Sequence, residues 1–254
     1  MLYLKYLIMV VIPIALTAAL FYRLYLCGKR WRAGCLYGKR NAESSSDQSS
    51  FATPSSQIVL LHLPLERSPK QRGKYLIIDV QTTGLFDEHY PENNPPLPLE
   101  VTLLLVDETC VPLCACTTLI YQEEIGSPEA VNVHGLTLKR VQQFGQPIET
   151  LAPLLHGYME QSEILVGHNL LFDLSVIRHA FSSDTSLLTL MGEKEQICTM
   201  MLALEQLPEE VSEGKFLSLR QLARLFGAEW YKRESVHVSY ANALYTLFVL
   251  KKLV

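Results

Sequence analysis

Apolar positions fall along this chain in blocks whose spacing changes. Residues 6–22, YLIMVVIPIALTAALFY, form one apolar run without a charge. At ~1.5 Å per residue the run makes about 25 Å of helix, close to the ~30 Å of a bilayer's hydrocarbon core. Lys5 and Arg23 flank it and can snorkel, and Pro13 is tolerated in a spanning helix. The pattern then dissolves. NAESSSDQSSFATPSS, residues 41–56, has too few apolar positions for a packed core and reads as a flexible linker. From Gln57 on, strand and helix signals return. QIVLLHL is a short strand or a packing segment. KYLIIDV is a continuous β-branched run, as expected of a central buried strand. FDEHYPENNPPLPLE is a Pro- and Asn-rich loop, and its Asp87, Glu88 and Glu92 read as solvated loop acids. LEVTLLLVD and VPLCACTTLIY are two more strands, joined closely enough to make an antiparallel meander. Helical spacing follows over residues 137–144 and 148–159. EILVGH is a fourth strand that runs into a helix ending near Ala180, and EQICT is a fifth. Residues 200–207, 217–226 and 238–253 are helical, with Gly227 stopping the second of these. A meander followed by β/α alternation predicts an α/β fold, a mixed five-stranded sheet flanked by helices, preceded by one N-terminal transmembrane helix.

The expected organisation is a membrane anchor with a basic flank (1–40), a linker (41–56) and one globular domain (57–254). Charge sharpens it. The 254 residues carry a formal net charge of −4, but residues 1–40 hold seven Lys or Arg and no acid. Residues 41–254 then hold 15 bases against 26 acids, a net of −11. Six of the seven N-terminal bases follow the apolar run, which by the positive-inside rule puts the C-terminal domain of a single-pass membrane protein in the cytoplasm. A cleaved signal peptide would want charge before the run and a small-residue cleavage site after it; FYRLYLCGKR offers none. The acidic domain is the wrong sign for an extended phosphate-binding face. Arg220 and Arg224, one turn apart, are its local candidates for phosphate contact. Cys110, Cys114 and Cys116 lie close together with no second Cys/His pair at zinc spacing, and read as small apolar residues on a strand.

Three stretches carry candidate chemistry: LIIDVQTTGL with Asp79 and Gln81, LVGHNLLFDL with His168, Asn169, Phe172 and Asp173, and HVSYANA with His237 and Asn242. In order and spacing they resemble D-x-E-T-T-G, H-N-x-x-F-D and H-x-A-x-x-D of the DEDDh 3′–5′ exonucleases. That family includes the proofreading subunit of bacterial DNA polymerase III and ribonuclease T. The resemblance covers about residues 74–254 and extends to VHGLT at 133–137, to Glu100 and to SLRQLARLFG at 218–227. It implies a ribonuclease-H-like fold. It also implies that Asp79 and Asp173 bind metal, that His237 is the general base toward water, and that Thr82, Thr83, His168, Asn169 and Phe172 meet the terminal nucleotide.

The chain departs from the pattern where charge matters most. Gln81 stands in place of a glutamate and Asn242 in place of the last aspartate, so the acid quartet keeps half its formal charge. Ser239 replaces the usual alanine. An amide carbonyl brings no charge to Mg²⁺, an ion that gives up its waters reluctantly, and a second cation beside the first is then poorly neutralised. A two-metal clamp needs those charges to activate water and to stabilise the leaving oxygen. The departure implies a membrane-anchored exonuclease-like domain, catalytically impaired, that acts as a binding or scaffold module for a nucleotide or single-stranded nucleic acid. The alternative is an active 3′–5′ exonuclease that hydrolyses single-stranded DNA or RNA ends with Mg²⁺ or Mn²⁺; the first reading needs no cofactor. A third is a protein–protein adaptor that uses only the fold.

Overall fold

The computed structural model describes residues 69, 71–86, 95–229 and 237–254. The span expected at 6–22, the linker at 41–56, QIVLLHL and Asp87, Glu88 and Glu92 lie outside these residues. Among the described residues no helix is long and apolar enough to cross a membrane.

β1 (Tyr75–Thr82), β2 (Pro98–Val106) and β3 (Pro112–Leu119) form the expected antiparallel meander. α1 (Pro128–His134), α2 (Leu138–Phe144) and α3 (Leu151–Glu160) follow. β4 (Ile164–Gly167) then pairs with β1 in parallel, and after α4 (Leu170–Ala180) and α5 (Thr185–Glu193), β5 (Glu195–Cys198) pairs with β4 in parallel. The sheet order is β3-β2-β1-β4-β5. α6 (Thr199–Gln206), α8 (Leu219–Leu225) and α9 (Val238–Leu253) complete this unit. Residues Leu207–Leu217 group apart from it and contain α7 (Glu209–Ser212).

Both sheet faces are covered, which explains the unbroken apolar strands. Leu76, Ile78 and Val80 of β1 pack with Leu155, Leu174 and Leu187 of α3, α4 and α5. The alternate residues Tyr75 and Ile77 pack with Leu244, Leu247 and Leu250 of α9. A strand's side chains alternate between faces, so Asp79 and Gln81 fall on the α9 side. Cross-strand pairing puts Thr102 beside Asp79, Glu100 beside Gln81, and Thr117 beside Thr102. A polar strip therefore crosses one end of an otherwise apolar face.

α1, α5 and α7 were not anticipated from sequence spacing. α1 has only seven residues and rests on its ends: the Ser127 side chain accepts from the Ala130 N–H, Pro128 opens the helix, and Gly135 closes it in the left-handed region. α5 begins at an Asp184 cap and buries Leu187 and Met191, one turn apart. α8 starts at a reciprocal Ser218/Gln221 capping box, within the helix anticipated over 217–226.

Candidate functional site

The three motifs converge at the carboxyl ends of β1 and β4, where α4 and α9 begin. Gln81 and Asn242 both turn N–H groups toward one oxygen. Gln81 Nε2 donates to Asp79 Oδ2 at 2.6 Å, and Asn242 Nδ2 donates to the same oxygen at 3.4 Å. When Asp79 is ionised the opposite amide orientation would set a carbonyl oxygen against a carboxylate, so the ionised acid favours this facing of both amides. Asp173 comes from the first turn of α4. β4 pairs with β1 only as far as Ile77, and further along it is Asp173 Oδ1 that accepts the Val80 N–H, at 2.8 Å.

Asp173 is buried and Asp79 is partly buried. Burial, with a smaller contribution from the Glu100 carboxylate, raises Asp79 to about 7 despite the hydrogen bonds from Gln81 and Asn242, which act the other way. Burial, and then the neighbouring Asp79, push Asp173 well above the ordinary carboxylate range, against the Val80 hydrogen bond. The amides offset only part of the cost of burying Asp79.

The other half of the site is built on Glu100, which is fully buried in β2. The resemblance singled this acid out, but the sequence assigned it no role. Its Oε1 accepts the Ser239 backbone N–H at 2.8 Å and the Ser239 hydroxyl at 2.7 Å, and its Oε2 lies 2.6 Å from His237 Nδ1. Glu100 thus caps the start of α9 from across the sheet, where helix N–H groups lack partners and the dipole favours a negative charge. One signal was legible: an acid inside the apolar run LEVTLLLV needs buried partners. Those partners lie more than 130 residues away in sequence, beyond the reach of a spacing argument.

The residues expected to face a nucleotide surround the turn after β1 and the start of α4. The Thr82 hydroxyl donates to the Gly84 carbonyl at 2.7 Å, and the Thr83 hydroxyl accepts the Leu97 N–H at 3.0 Å. Gly126 lies so close to this turn that a Cβ there would fall 1.6 Å from the Thr83 carbonyl oxygen. His134, in VHGLT, secures the approach: its Nδ1 accepts the Leu136 N–H, and its Nε2 lies 3.3 Å from the Ile125 carbonyl. Thr199 Oγ1 donates to the Gly167 carbonyl, so its 3.0 Å bond to His168 Nδ1 has the imidazole as donor. Asn169 caps α4 in the left-handed region, at φ 70°, a conformation Asn tolerates better than most residues. Phe172 meets Phe86 edge to face at 5.8 Å and packs against the core. It supports the turn after β1 from below.

Four carboxylates facing two cations is what the resemblance implies; at those four positions the site has two carboxylates, with two amide N–H groups on one of them. Among the described residues no three His, Cys, Asp or Glu side chains converge in an arrangement that could hold a metal ion. This donor set does not fit a two-metal clamp.

No family model matches the chain, and no curated protein sequence matches it. Solved structures do. Exonuclease I of E. coli in complex with a dA16 oligonucleotide superposes with a TM-score of 0.56 at 17% identity, over 71% of this chain and 40% of that one. The zinc-bound complex of E. coli exonuclease I with single-stranded DNA gives 0.53 at 16%, over 71% and 40%. Exonuclease I of Methylocaldum szegediense gives 0.55 at 18%, over 70% and 40%. The fold is ribonuclease-H-like. The chain spans about two fifths of these neighbours' length, and at such identity the likeness is one of fold.

Proposed function

We propose that this domain is an exonuclease-like module with impaired catalysis, which binds single-stranded nucleic acid ends or nucleotides more readily than it cleaves them. One observation carries the reading. The Gln81 and Asn242 side chains, at the positions where the resembling family has metal-binding acids, both direct N–H groups at Asp79 Oδ2. That oxygen already accepts two N–H groups, which a cation approaching it would have to displace. Two cations would bring twice the charge that Asp79 and Asp173 can neutralise, and the amides add nothing to that balance. Without those ions a phosphate at the site meets two acidic groups, which favours weak binding. The nucleic-acid-bound exonuclease I structures with this fold support a single strand as the ligand class. Attachment to a membrane through residues 6–22, with the domain in the cytoplasm, belongs to the same proposal and rests on the sequence.

Active 3′–5′ exonuclease chemistry is the second reading, favoured by the intact Glu100–His237 pair. An imidazole backed by a buried carboxylate is what deprotonating a water requires. The test compares the native chain with Gln81→Glu/Asn242→Asp on single-stranded DNA and RNA in Mg²⁺ and in Mn²⁺. The proposal expects an inert native chain and an active double variant, silenced again by His237→Ala. Degradation by the native chain, abolished by Asp79→Ala, overturns it.

A further inference from the structure

Behind Glu100 lies a row of hydroxyl groups that the exonuclease resemblance does not call for. Ser239 Oγ donates to Glu100 Oε1 at 2.7 Å. Thr102 Oγ1 lies 2.7 Å from Ser239 Oγ, and Thr117 Oγ1 lies 2.8 Å from Thr102 Oγ1. Each hydroxyl has one hydrogen to give. The carboxylate oxygen can only accept from Ser239, so the Ser239 hydrogen is committed to Glu100. Thr102 must then donate to Ser239, and Thr117 to Thr102. The row has a single direction: all three hydrogens point toward Glu100. Ser239 and Thr102 are fully buried, where such a chain polarises each member and leaves few alternative partners. Thr117, on the edge strand β3, is half-buried and anchors the outer end.

We infer that Ser239, backed by Thr102 and Thr117, is a positioning residue that keeps Glu100 a pure acceptor and thereby holds His237 as the Nδ1–H tautomer. With Oε1 saturated by the Ser239 N–H and hydroxyl, Glu100 Oε2 accepts Nδ1–H of His237 at 2.6 Å. The imidazole lone pair then sits on Nε2, which is the form a base needs. An alanine at 239, as in the resembling family, would remove one of the two donors on Oε1 and leave the buried Thr102 hydroxyl without its acceptor. The serine thus fastens the base half of the site more firmly in a chain whose acid half has lost charge. The inference rests on reading His237 as the site's base. Among the described residues Asp79 on β1 and His134 on α1 interact electrostatically with Glu100, and neither is altered in the test.

The experiment uses the full chain labelled with ¹⁵N-histidine, with His237 assigned by the signal lost in His237→Gln. At about pH 9, where imidazoles are neutral, ring nitrogen shifts report the tautomer and the Hδ1 proton reports its exchange with water. The native chain should show the Nδ1–H tautomer. Ser239→Ala should mix the tautomers and speed Hδ1 exchange about tenfold or more, as loss of a charge-assisted donor implies. Ser239→Thr should restore both signals. Thr102→Val, similar in shape but without the donor, should give a smaller change of the same sign. A native Nε2–H tautomer, or tautomer and exchange unchanged in a folded Ser239→Ala, overturns the inference. If Ser239→Ala does not fold, Thr102→Val decides: altered exchange supports the row, unaltered exchange overturns it. Nuclease activity plays no part in these readouts, so a native chain that proves to be an active exonuclease would sink the impaired reading and leave this one standing.

Discussion

The two halves of this site hold their acids in different ways. The half at the end of β1 keeps Asp79 and Asp173 but presents amides at the other two acid positions, and those amides donate to the acid that remains. The half at the start of α9 keeps an imidazole, a buried carboxylate beneath it and a directed row of hydroxyls beneath that. Amide hydrogen bonds hold the acid of the first half, whereas a hydroxyl and a backbone N–H hold the acid of the second. On the proposed reading the amides do not leave the first half unsatisfied: both donate N–H groups to Asp79 Oδ2.

The largest effect should follow from reversing the edit. Gln81→Glu/Asn242→Asp places four carboxyl groups together, so the variant should melt well below the native chain in a chelator and recover in Mg²⁺ or Mn²⁺. Native thermal stability should ignore both ions. Scanning calorimetry with and without metal reads this directly. In single-strand digestion assays the double variant should exceed the native chain by about a thousandfold or more, and each single variant by far less, since ligands act as a set. A double variant that is folded, metal-insensitive and inert would show that the halves differ by more than two side chains.

Next in size is Glu100→Ala. It strips partners from the Ser239 N–H, the Ser239 hydroxyl and His237 together, and should cost about 3–5 kcal/mol in urea unfolding. Asp79→Ala should cost far less, because it removes a group whose burial is only partly offset. If the two changes cost the same, the contrast between the halves is wrong.

Much of this arrangement was legible in the chain. Period and composition gave the meander and the β/α alternation, and the resemblance of three motifs implied that Asp79, Gln81, Asp173, His237 and Asn242 share one site. Strand parity alone puts Asp79 and Gln81 on one face. The direction of the amides was not legible, because it depends on which atom of Asp79 each one reaches. Nor was the role of Glu100, whose partners come from the far end of the chain. α1 was missed because it is short and its Val131 and Val133 favour extended backbone; only its caps announced it. The local bonds of Thr82 and Thr83, to Gly84 and Leu97, were not legible either, because they depend on how the turn after β1 closes.

A pH series separates the halves more finely. Asp79 is raised to about 7 in the folded chain, above its value of 3.8 when exposed. The folded state therefore holds more protons than the unfolded state between those values, and stability falls as pH rises through that window. Its contribution is fully present below about pH 4 and lost above about pH 7. Asp79→Asn should flatten this part of the profile in urea titrations at fixed salt. A slope unchanged by the substitution would assign it to other groups.

The smallest effect concerns binding. The exposed Arg220 and Arg224 lie one turn apart on α8. Replacing both with Ala should weaken single-stranded DNA binding several-fold and reduce the salt slope by about 1–2, as expected for two phosphate contacts. Unchanged affinity and slope would leave them as a solvated helix face.

The most direct test of the central claim is a calorimetric titration of the native chain with Mg²⁺ at about pH 8, where Asp79 is largely ionised. If amide donors hold Asp79 Oδ2, no saturable heat should appear at millimolar Mg²⁺, while Gln81→Glu/Asn242→Asp should give a clear isotherm under the same conditions. Saturable binding by the native chain that disappears with Asp79→Ala would contradict the account.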